Sequence, residues 1–147
     1  MTRALLAGVI YFAIVFTAAF ALGGVRVVFV VPAVGALWAT WLELPFTLAA
    51  AWIVCGWLVG NFGVGSLRQA IAMGACAFAL LMGADAVGSM LLFGRSLAAH
   101  IASYATAAGG SGLAGQIAFG LFPLVRRKRS AVLAARFDEA GGSKALR

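Results

Sequence analysis

The sequence has few charged residues and even fewer acidic ones. Only 10% of its 147 residues are Asp, Glu, Lys or Arg, and 4 of these are acidic. Apolar residues make up 64% of the chain, whereas they make up about half of a soluble domain, and the mean hydropathy is +1.06. This composition lies outside the range of soluble proteins and indicates an integral membrane protein.

Cysteine and histidine are scarce as well, with two cysteines and one histidine. Cys55 and Cys76 each lie in an apolar run without CxxC spacing, which argues against a zinc or redox motif and a secreted disulfide framework. A metal site that joins His100 to Glu43 and Asp85 is one hypothesis. A single His with no second His or Cys at ligand spacing instead favours a solvated histidine at the membrane interface. No cofactor is therefore expected.

Long apolar runs dominate the rest of the chain. A helix needs roughly 20 mostly apolar residues, at about 1.5 Å each, to cross the hydrocarbon core of a membrane. Four stretches qualify, at about residues 4–25, 36–59, 70–93 and 104–125. The sequence therefore predicts an all-α bundle of four transmembrane helices over residues 1–125, followed by a basic cytoplasmic tail over residues 126–147.

Basic residues concentrate on one side of the predicted membrane. One side carries most of the basic residues near the helix ends: Arg3, Arg68, Arg126, Arg127, Lys128 and Arg129. Arg26 and Arg95 lie on the opposite side. Cytoplasmic loops carry an excess of Lys and Arg, so both termini are predicted to be cytoplasmic.

A secretory signal peptide is an alternative interpretation of the first segment, which begins with Arg3 and contains Ala19-Phe20-Ala21. Cleavage there would leave three spans and an outside N-terminus. The apolar run exceeds the usual 7 to 15 residues of a signal core and continues past the small residues, which favours an uncleaved span.

The basic run Arg126, Arg127, Lys128 and Arg129 is predicted to anchor the chain on anionic lipid headgroups, at about 1 kcal/mol per side chain. The net charge of +7 also suggests nucleic acid, but no aromatic or glycine-rich recognition motif accompanies these residues. The expected partners are the lipid bilayer, its anionic headgroups, and a second copy of the chain or a larger membrane complex, but no nucleic acid.

Two carboxylates lie inside the predicted spans, Glu43 in TWLELPF and Asp85 in the third span. A charged residue at the centre of a span costs about 2.5 to 3.5 kcal/mol on insertion, so such residues usually face the bundle interior with a partner. Both acids are predicted at about the same depth, with Arg26 and Arg95 approaching from the outer side. This pattern predicts an intramembrane polar cluster of Arg26, Glu43 and Asp85, with Arg95 at its rim.

Two further residues shape this predicted site. Pro45 removes a backbone donor and clashes with the carbonyl of Trp41, which predicts a kink around the turn that contains Glu43. Gln116, in the fourth span, is predicted to link helices through hydrogen bonds.

A family resemblance appears in the first two predicted helices. The order Gly-x-x-Arg, Pro-x-x-Gly, Glu-x-Pro occurs at Gly23, Arg26, Pro32, Gly35, Glu43 and Pro45. This pattern resembles a family of small, uncharacterised four-helix bacterial inner-membrane proteins. The resemblance implies the four-helix fold, a bacterial inner-membrane location and a pairing of Arg26 with Glu43, and it implies no reaction.

Two functions fit these features. A non-catalytic scaffold or accessory membrane subunit would use the charges as ion pairs that fix helix register. A small proton- or ion-linked transporter or channel would instead use Glu43 and Asp85 in turn. An enzyme is not expected, because the sequence lacks a nucleophile with a base, a metal constellation and a phosphate-binding glycine loop. The scaffold is favoured.

Overall fold

The computed structural model describes the backbone of residues 1–144 and the side chains of residues 1–127, and every regular element in that part of the chain is helical. The helices are α1 (Thr2–Val25), a π-helical turn (Arg26–Val30), α2 (Val31–Asn61), α3 (Leu67–Phe93), α4 (Leu97–Ser103) and α5 (Ala107–Lys144). Three stretches are long and apolar enough to cross a membrane: Thr2–Asn61, Leu67–Phe93 and Ala107–Arg127. The predictions of an all-helical chain and of helices able to span a membrane are confirmed.

The first of these stretches reverses direction at Gly35. Its backbone there has φ +81° and ψ 163°, the only non-helical conformation inside α2, and residues with a side chain rarely adopt it. The reversal makes α1 and α2 antiparallel neighbours, since Arg26 contacts Thr40 while the earlier Gly23 faces the later Glu43. The 60 residues from Thr2 to Asn61 therefore form a hairpin and not one straight rod.

Several boundaries differ from the predicted ones. The predicted gap between the first two spans is helical except at Gly35, because the π-helical turn carries α1 into α2. The fourth span, predicted from residue 104, begins as α5 at Ala107, where the Thr106 hydroxyl accepts a hydrogen bond from the backbone N–H of Gly109 at 3.1 Å. The predicted tail starts at residue 126, whereas α5 continues as helix to Lys144.

The four long helices pack around one core. Helices α2 and α5 run parallel. Trp41 donates a hydrogen bond to Ser111 early in α5, and the carbonyl of Trp52, later in α2, accepts one from Arg126 later in α5. Helix α3 runs antiparallel to α5 and also packs against α1. The core centres on Tyr11, which is fully buried, stacks on the Phe119 ring at 4.2 Å between centroids and donates its hydroxyl hydrogen to the Phe119 carbonyl at 3.2 Å.

Large apolar side chains also cover the outside of the bundle. Phe29, Phe46 and Leu91 are each at least 70% exposed, and they lie on three different helical segments. Water-soluble monomers rarely expose apolar surface all round, whereas a helix bundle in lipid has no reason to hide it. The apolar exterior agrees with the length and composition of the three membrane-crossing stretches.

Candidate functional site: two polar clusters at one end of the bundle

The first polar cluster joins the two arms of the α1–α2 hairpin. Nε of Arg26 lies 2.5 Å from Oε2 of Glu43, and Nη1 of Arg26 donates a hydrogen bond to the Thr40 hydroxyl at 3.1 Å. The Thr40 hydroxyl in turn donates to the carbonyl of Ala36 at 2.9 Å. The side chains of Arg26 and Glu43 are 29% and 19% exposed, so both groups are largely removed from solvent.

Local backbone geometry places this pair. Arg26 begins the π-helical turn, whose wider winding redirects side chains relative to an α-helix, and such turns are frequent at functional sites. Gly23 lies one turn earlier, and a Cβ atom there would approach Oε1 of Glu43 to 4.0 Å. The carboxylate therefore fits closely against a stretch of α1 that carries little side-chain volume.

Pro45 lies inside α2, two residues after Glu43. The backbone stays helical there, and the break in α2 occurs at Gly35, before the acid and not after it. Glu43 is consequently positioned by the chain reversal that brings α1 against α2. Gly35 makes the chain reversal, and the kink predicted around Pro45 stays a prediction.

Asp85 forms a second cluster with residues that the sequence did not group with it. Its Oδ2 accepts one hydrogen bond from Nε2 of Gln116 at 2.9 Å and another from the Tyr104 hydroxyl at 3.2 Å. The Tyr104 oxygen is also 2.9 Å from Nε2 of His100, which itself lies 3.9 Å from the same Oδ2. Three side chains, from α4, the turn after α4 and α5, therefore approach one carboxylate oxygen of Asp85 in α3.

The hydrogen positions in this cluster follow from simple valence. A phenol carries one hydrogen, so a Tyr104 hydroxyl that donates to Asp85 must accept from His100. That arrangement requires the hydrogen of His100 on Nε2, an inference from the network rather than an observed atom. The groups then form one directed chain, from His100 through Tyr104 to Asp85.

The short helix α4 holds His100 and Tyr104 in place. Helix α3 ends at Gly94 in the left-handed conformation, and the Ser96 hydroxyl then caps α4 by accepting from the Ala99 N–H at 3.2 Å. His100 is 5% exposed, which corrects the expectation of a solvated interfacial histidine, because α4 folds back onto α3. Burial, and then the neighbouring Asp85, raise the pKa of Tyr104 to about 12, so its phenol remains a hydrogen donor at neutral pH.

Among residues 1–127, no hydrogen bond or ion pair joins the two clusters. Leu44, next to Glu43, packs against Gly115, and the next residue in α5 is Gln116, which bonds Asp85. Arg26 and Glu43 thus come together, whereas the partners of Asp85 are Tyr104, Gln116 and His100. Arg95 is exposed and, among residues 1–127, makes no side-chain hydrogen bond or ion pair, so it does not join the predicted cluster.

The basic run at the opposite end contacts protein carbonyls. Arg126 lies over the Trp52 ring, 4.1 Å from its centroid, and donates to the Trp52 carbonyl from Nε at 3.2 Å and from Nη2 at 2.8 Å. Nε of Arg127 donates to the Gly65 carbonyl at 2.8 Å. The side chains of Lys128 and Arg129 lie outside the described residues. The two described arginines join α5 to α2 and to the loop before α3.

Sequence reasoning missed the pairing of His100 with Tyr104. The available signal is their spacing of four in RSLAAHIASY, which places both side chains on one face of a helix. In residues 1–127, no group of three His, Cys, Asp or Glu side chains is arranged to hold a metal ion. The observed hydrogen bonds allow the site to link helices or pass protons, and its chemistry resides in Asp85, His100 and Tyr104.

Comparison with known protein families, with curated proteins and with solved structures finds no match to this chain. The resemblance of the first two helices to four-helix inner-membrane proteins stays a prediction.

Proposed function

We propose that this chain is a non-catalytic scaffold or accessory subunit of the bacterial inner membrane, with four spans and both termini in the cytoplasm. The observation that carries the proposal is the use of its membrane-embedded polar groups as links between helices. Arg26 and Glu43 join α1 to α2, and Asp85 and Gln116 join α3 to α5. Helix association in lipid depends on such links and on close packing, because lipid tails are as apolar as the side chains.

The four-span topology is supported by the reversal at Gly35, which divides the 60-residue apolar stretch into two antiparallel arms. The orientation is supported by the distribution of arginine. Arg3, Arg68, Arg126 and Arg127 lie at one end of the bundle, and Arg26 and Arg95 lie at the other. The richer end belongs in the cytoplasm by the positive-inside rule.

Arg26 and Glu43 act in this proposal as an intramembrane ion pair that fixes the register of the hairpin. Removing one partner of a buried pair leaves an uncompensated charge and is strongly destabilising, whereas a reversed pair retains the attraction. The decisive variants are therefore Arg26→Glu, Glu43→Arg and the double reversal. We expect each single variant to lower the unfolding midpoint in detergent and the double reversal to recover much of the loss.

A small proton-linked transporter is the second candidate, and one observation favours it. The chain from His100 through Tyr104 ends at Asp85, whose side chain is 40% exposed although that of His100 is 7% exposed. Such a path joins the buried His100 to the more accessible Asp85. In this candidate Asp85 is the exchanging carboxylate, and Glu43 stays paired with Arg26.

One assay separates the two candidates. The wild-type chain and the Asp85→Asn variant are each placed in liposomes with an imposed pH gradient. If the chain is a scaffold, both kinds of liposome should leak protons at the same rate. Proton leak that Asp85→Asn abolishes, and that Glu43→Gln leaves unchanged, would overturn the scaffold and establish the transporter. The folded state of each variant is checked by its helical circular dichroism and its unfolding midpoint.

The topology has its own test. Cys55 and Cys76 are first replaced by Ala. Single cysteines are then introduced at Asn61, before α3, and at Arg95, after α3, which lie on opposite sides of the membrane in the proposed topology. A membrane-impermeant maleimide should label the Arg95→Cys variant in intact spheroplasts. It should label the Asn61→Cys variant only after the spheroplasts are lysed. The opposite pattern would reverse the orientation, and labelling of both positions from outside would exclude the four-span arrangement.

A further inference from the structure

An apolar groove of about 290 Å³ runs along the outside of the bundle between α3 and α5. Its walls are almost wholly apolar, and Gly74 and Gly120 form its floor, where the backbones of the two helices approach closely. The flanking side chains are Ile71, Ala75 and Phe78 from α3, and Ile117, Leu121 and Leu124 from α5. From Ile71 to Phe78 the groove extends roughly 10 Å along the helix axis.

Two arginines lie beyond one end of this groove. Arg68 precedes Ile71 by one helical turn on the same face of α3 and is exposed. Arg127 follows Leu124 by one turn on α5, and its hydrogen bond to the Gly65 carbonyl holds the guanidinium beside the start of α3. Both cationic groups therefore sit where the apolar walls end.

No carboxylate balances these charges in the part of the chain whose side chains are described. The acids there are Glu43 and Asp85, and both lie at the opposite end of the bundle, among the residues near Arg26 and Gln116. Among the described side chains, the arginine end of the groove is accordingly positive. Charge complementarity thus favours an anionic occupant.

We propose that the α3–α5 groove binds one anionic glycerophospholipid, with an acyl chain along the apolar walls and the phosphate on the guanidinium groups of Arg68 and Arg127. An apolar groove that ends near two arginine residues fits this class of molecule, because Arg binds phosphate oxygens through several N–H donors. The inference rests on the proposed function only for the location of the chain in a membrane. Lipid retention can be measured whatever the orientation of the chain and whether or not it conducts protons.

The test compares retention of phosphatidylglycerol and phosphatidylcholine. Protein purified in a neutral detergent is mixed with equal amounts of the two lipids, and the bound species are counted by native mass spectrometry. We expect the wild-type chain to retain one phosphatidylglycerol in preference to phosphatidylcholine. The Arg68→Gln variant should retain about fivefold less phosphatidylglycerol, since one basic side chain near the headgroups contributes about 1 kcal/mol.

Two further variants separate the site from general effects. Arg95→Gln removes another exposed arginine, at the other end of the bundle, and should leave retention unchanged. Ala75→Leu adds volume to the groove wall without altering charge, and it should reduce retention of phosphatidylglycerol while Arg68 remains in place. Each variant is required to keep the wild-type unfolding midpoint within a few degrees, so lost binding cannot come from lost folding.

Three results would overturn the proposal. Equal retention of both lipids by the wild-type chain would mean that the groove holds ordinary bilayer lipid. An Arg95→Gln effect as large as that of Arg68→Gln would assign the preference to overall charge. Unchanged retention in Ala75→Leu would place the lipid somewhere other than the groove. The liposome proton assay reports on the proposed function separately from all three.

Discussion

Arg26 touches Glu43 across a chain reversal that Gly35 makes possible. The two charged groups belong to one continuous helical stretch, and they meet only because the backbone at Gly35 adopts φ +81°. The ion pair and the turn therefore form one unit, in which the turn sets the register and the pair holds it. Changes to the turn should consequently weaken the pair.

Gly35→Ala should destabilise the protein, although a Cβ atom at this position would meet nothing within 4 Å. The cost comes from the backbone, because a non-glycine residue in this region carries about 1 to 3 kcal/mol of strain. Gly24→Ala is the matched control, since Gly24 lies in α1 and a Cβ there also meets nothing. Denaturant titration in detergent should show a loss for Gly35→Ala and none for Gly24→Ala, and equal behaviour would contradict the assigned turn.

The close approach of α3 and α5 provides a steric prediction. A Cβ atom on Gly74 would overlap the backbone carbonyl oxygen of Gly120, and neither backbone can move aside cheaply. Gly74→Ala should therefore cost about 1 to 3 kcal/mol of unfolding free energy through overpacking.

Gly83→Ala, in the same helix, is the control for that change. No atom lies within 4 Å of its added Cβ, and alanine favours a helix over glycine by about 0.5 to 1 kcal/mol. The two variants should thus change the unfolding midpoint in opposite directions. A stabilising Gly74→Ala would mean that the two helices are not in contact there.

Much of the architecture could be predicted from the sequence, and the reason is length and composition. Uncharged apolar runs of about 20 residues fold as helices in lipid, because every backbone polar group must be bonded within the segment. The partner of Glu43 could also be anticipated, since Arg26 is a cation near the same depth and an unpaired intramembrane carboxylate is costly. Local chemistry is sufficient for inferences of this kind.

The surroundings of Asp85 could not be predicted in the same way. They depend on how α4 folds back after Gly94, a tertiary outcome that no spacing in the sequence specifies. The sequence predicted Asp85 in a cluster with Arg26 and Glu43 and with Arg95 at its rim. In the structure α4 instead brings His100 and Tyr104 to Asp85, and Arg95 is exposed. Arg126 and Arg127 are a similar case, because their carbonyl partners come from distant parts of the chain.

The hydrogen bond between Asp85 and Gln116 should couple α3 to α5 measurably. A double-mutant cycle with Asp85→Ala and Gln116→Ala isolates their interaction, which averages about 0.6 kcal/mol and reaches about 1.7 kcal/mol for polar pairs in membrane helices. We expect a coupling energy in that range from unfolding measurements in detergent.

Arg95→Ala combined with Gln116→Ala provides the control cycle. Arg95 makes no side-chain hydrogen bond or ion pair with Gln116 among the described residues, so the two effects should add. Additivity in the Asp85 cycle as well would show that the amide does not link the helices.

Tyr104 should make stability fall in strongly alkaline solution. Its pKa rises from 10.0 to about 12, chiefly through burial and then through Asp85. Between these two values the unfolded chain has lost its phenolic proton while the folded chain keeps it, so the unfolded state binds fewer protons and the free energy of unfolding decreases as pH rises. Below pH 10 both states are protonated and the contribution is constant.

Tyr104→Phe tests this dependence directly. The phenylalanine variant cannot titrate at this position, so its unfolding free energy should decline less steeply than that of the wild type between pH 10 and pH 12. Only two tyrosines are present, so the wild-type minus variant difference in tyrosinate absorbance reports the titration of Tyr104 itself. A difference spectrum with its midpoint at the ordinary value of 10.0 would show that the phenol is free in solvent and is not held against Asp85.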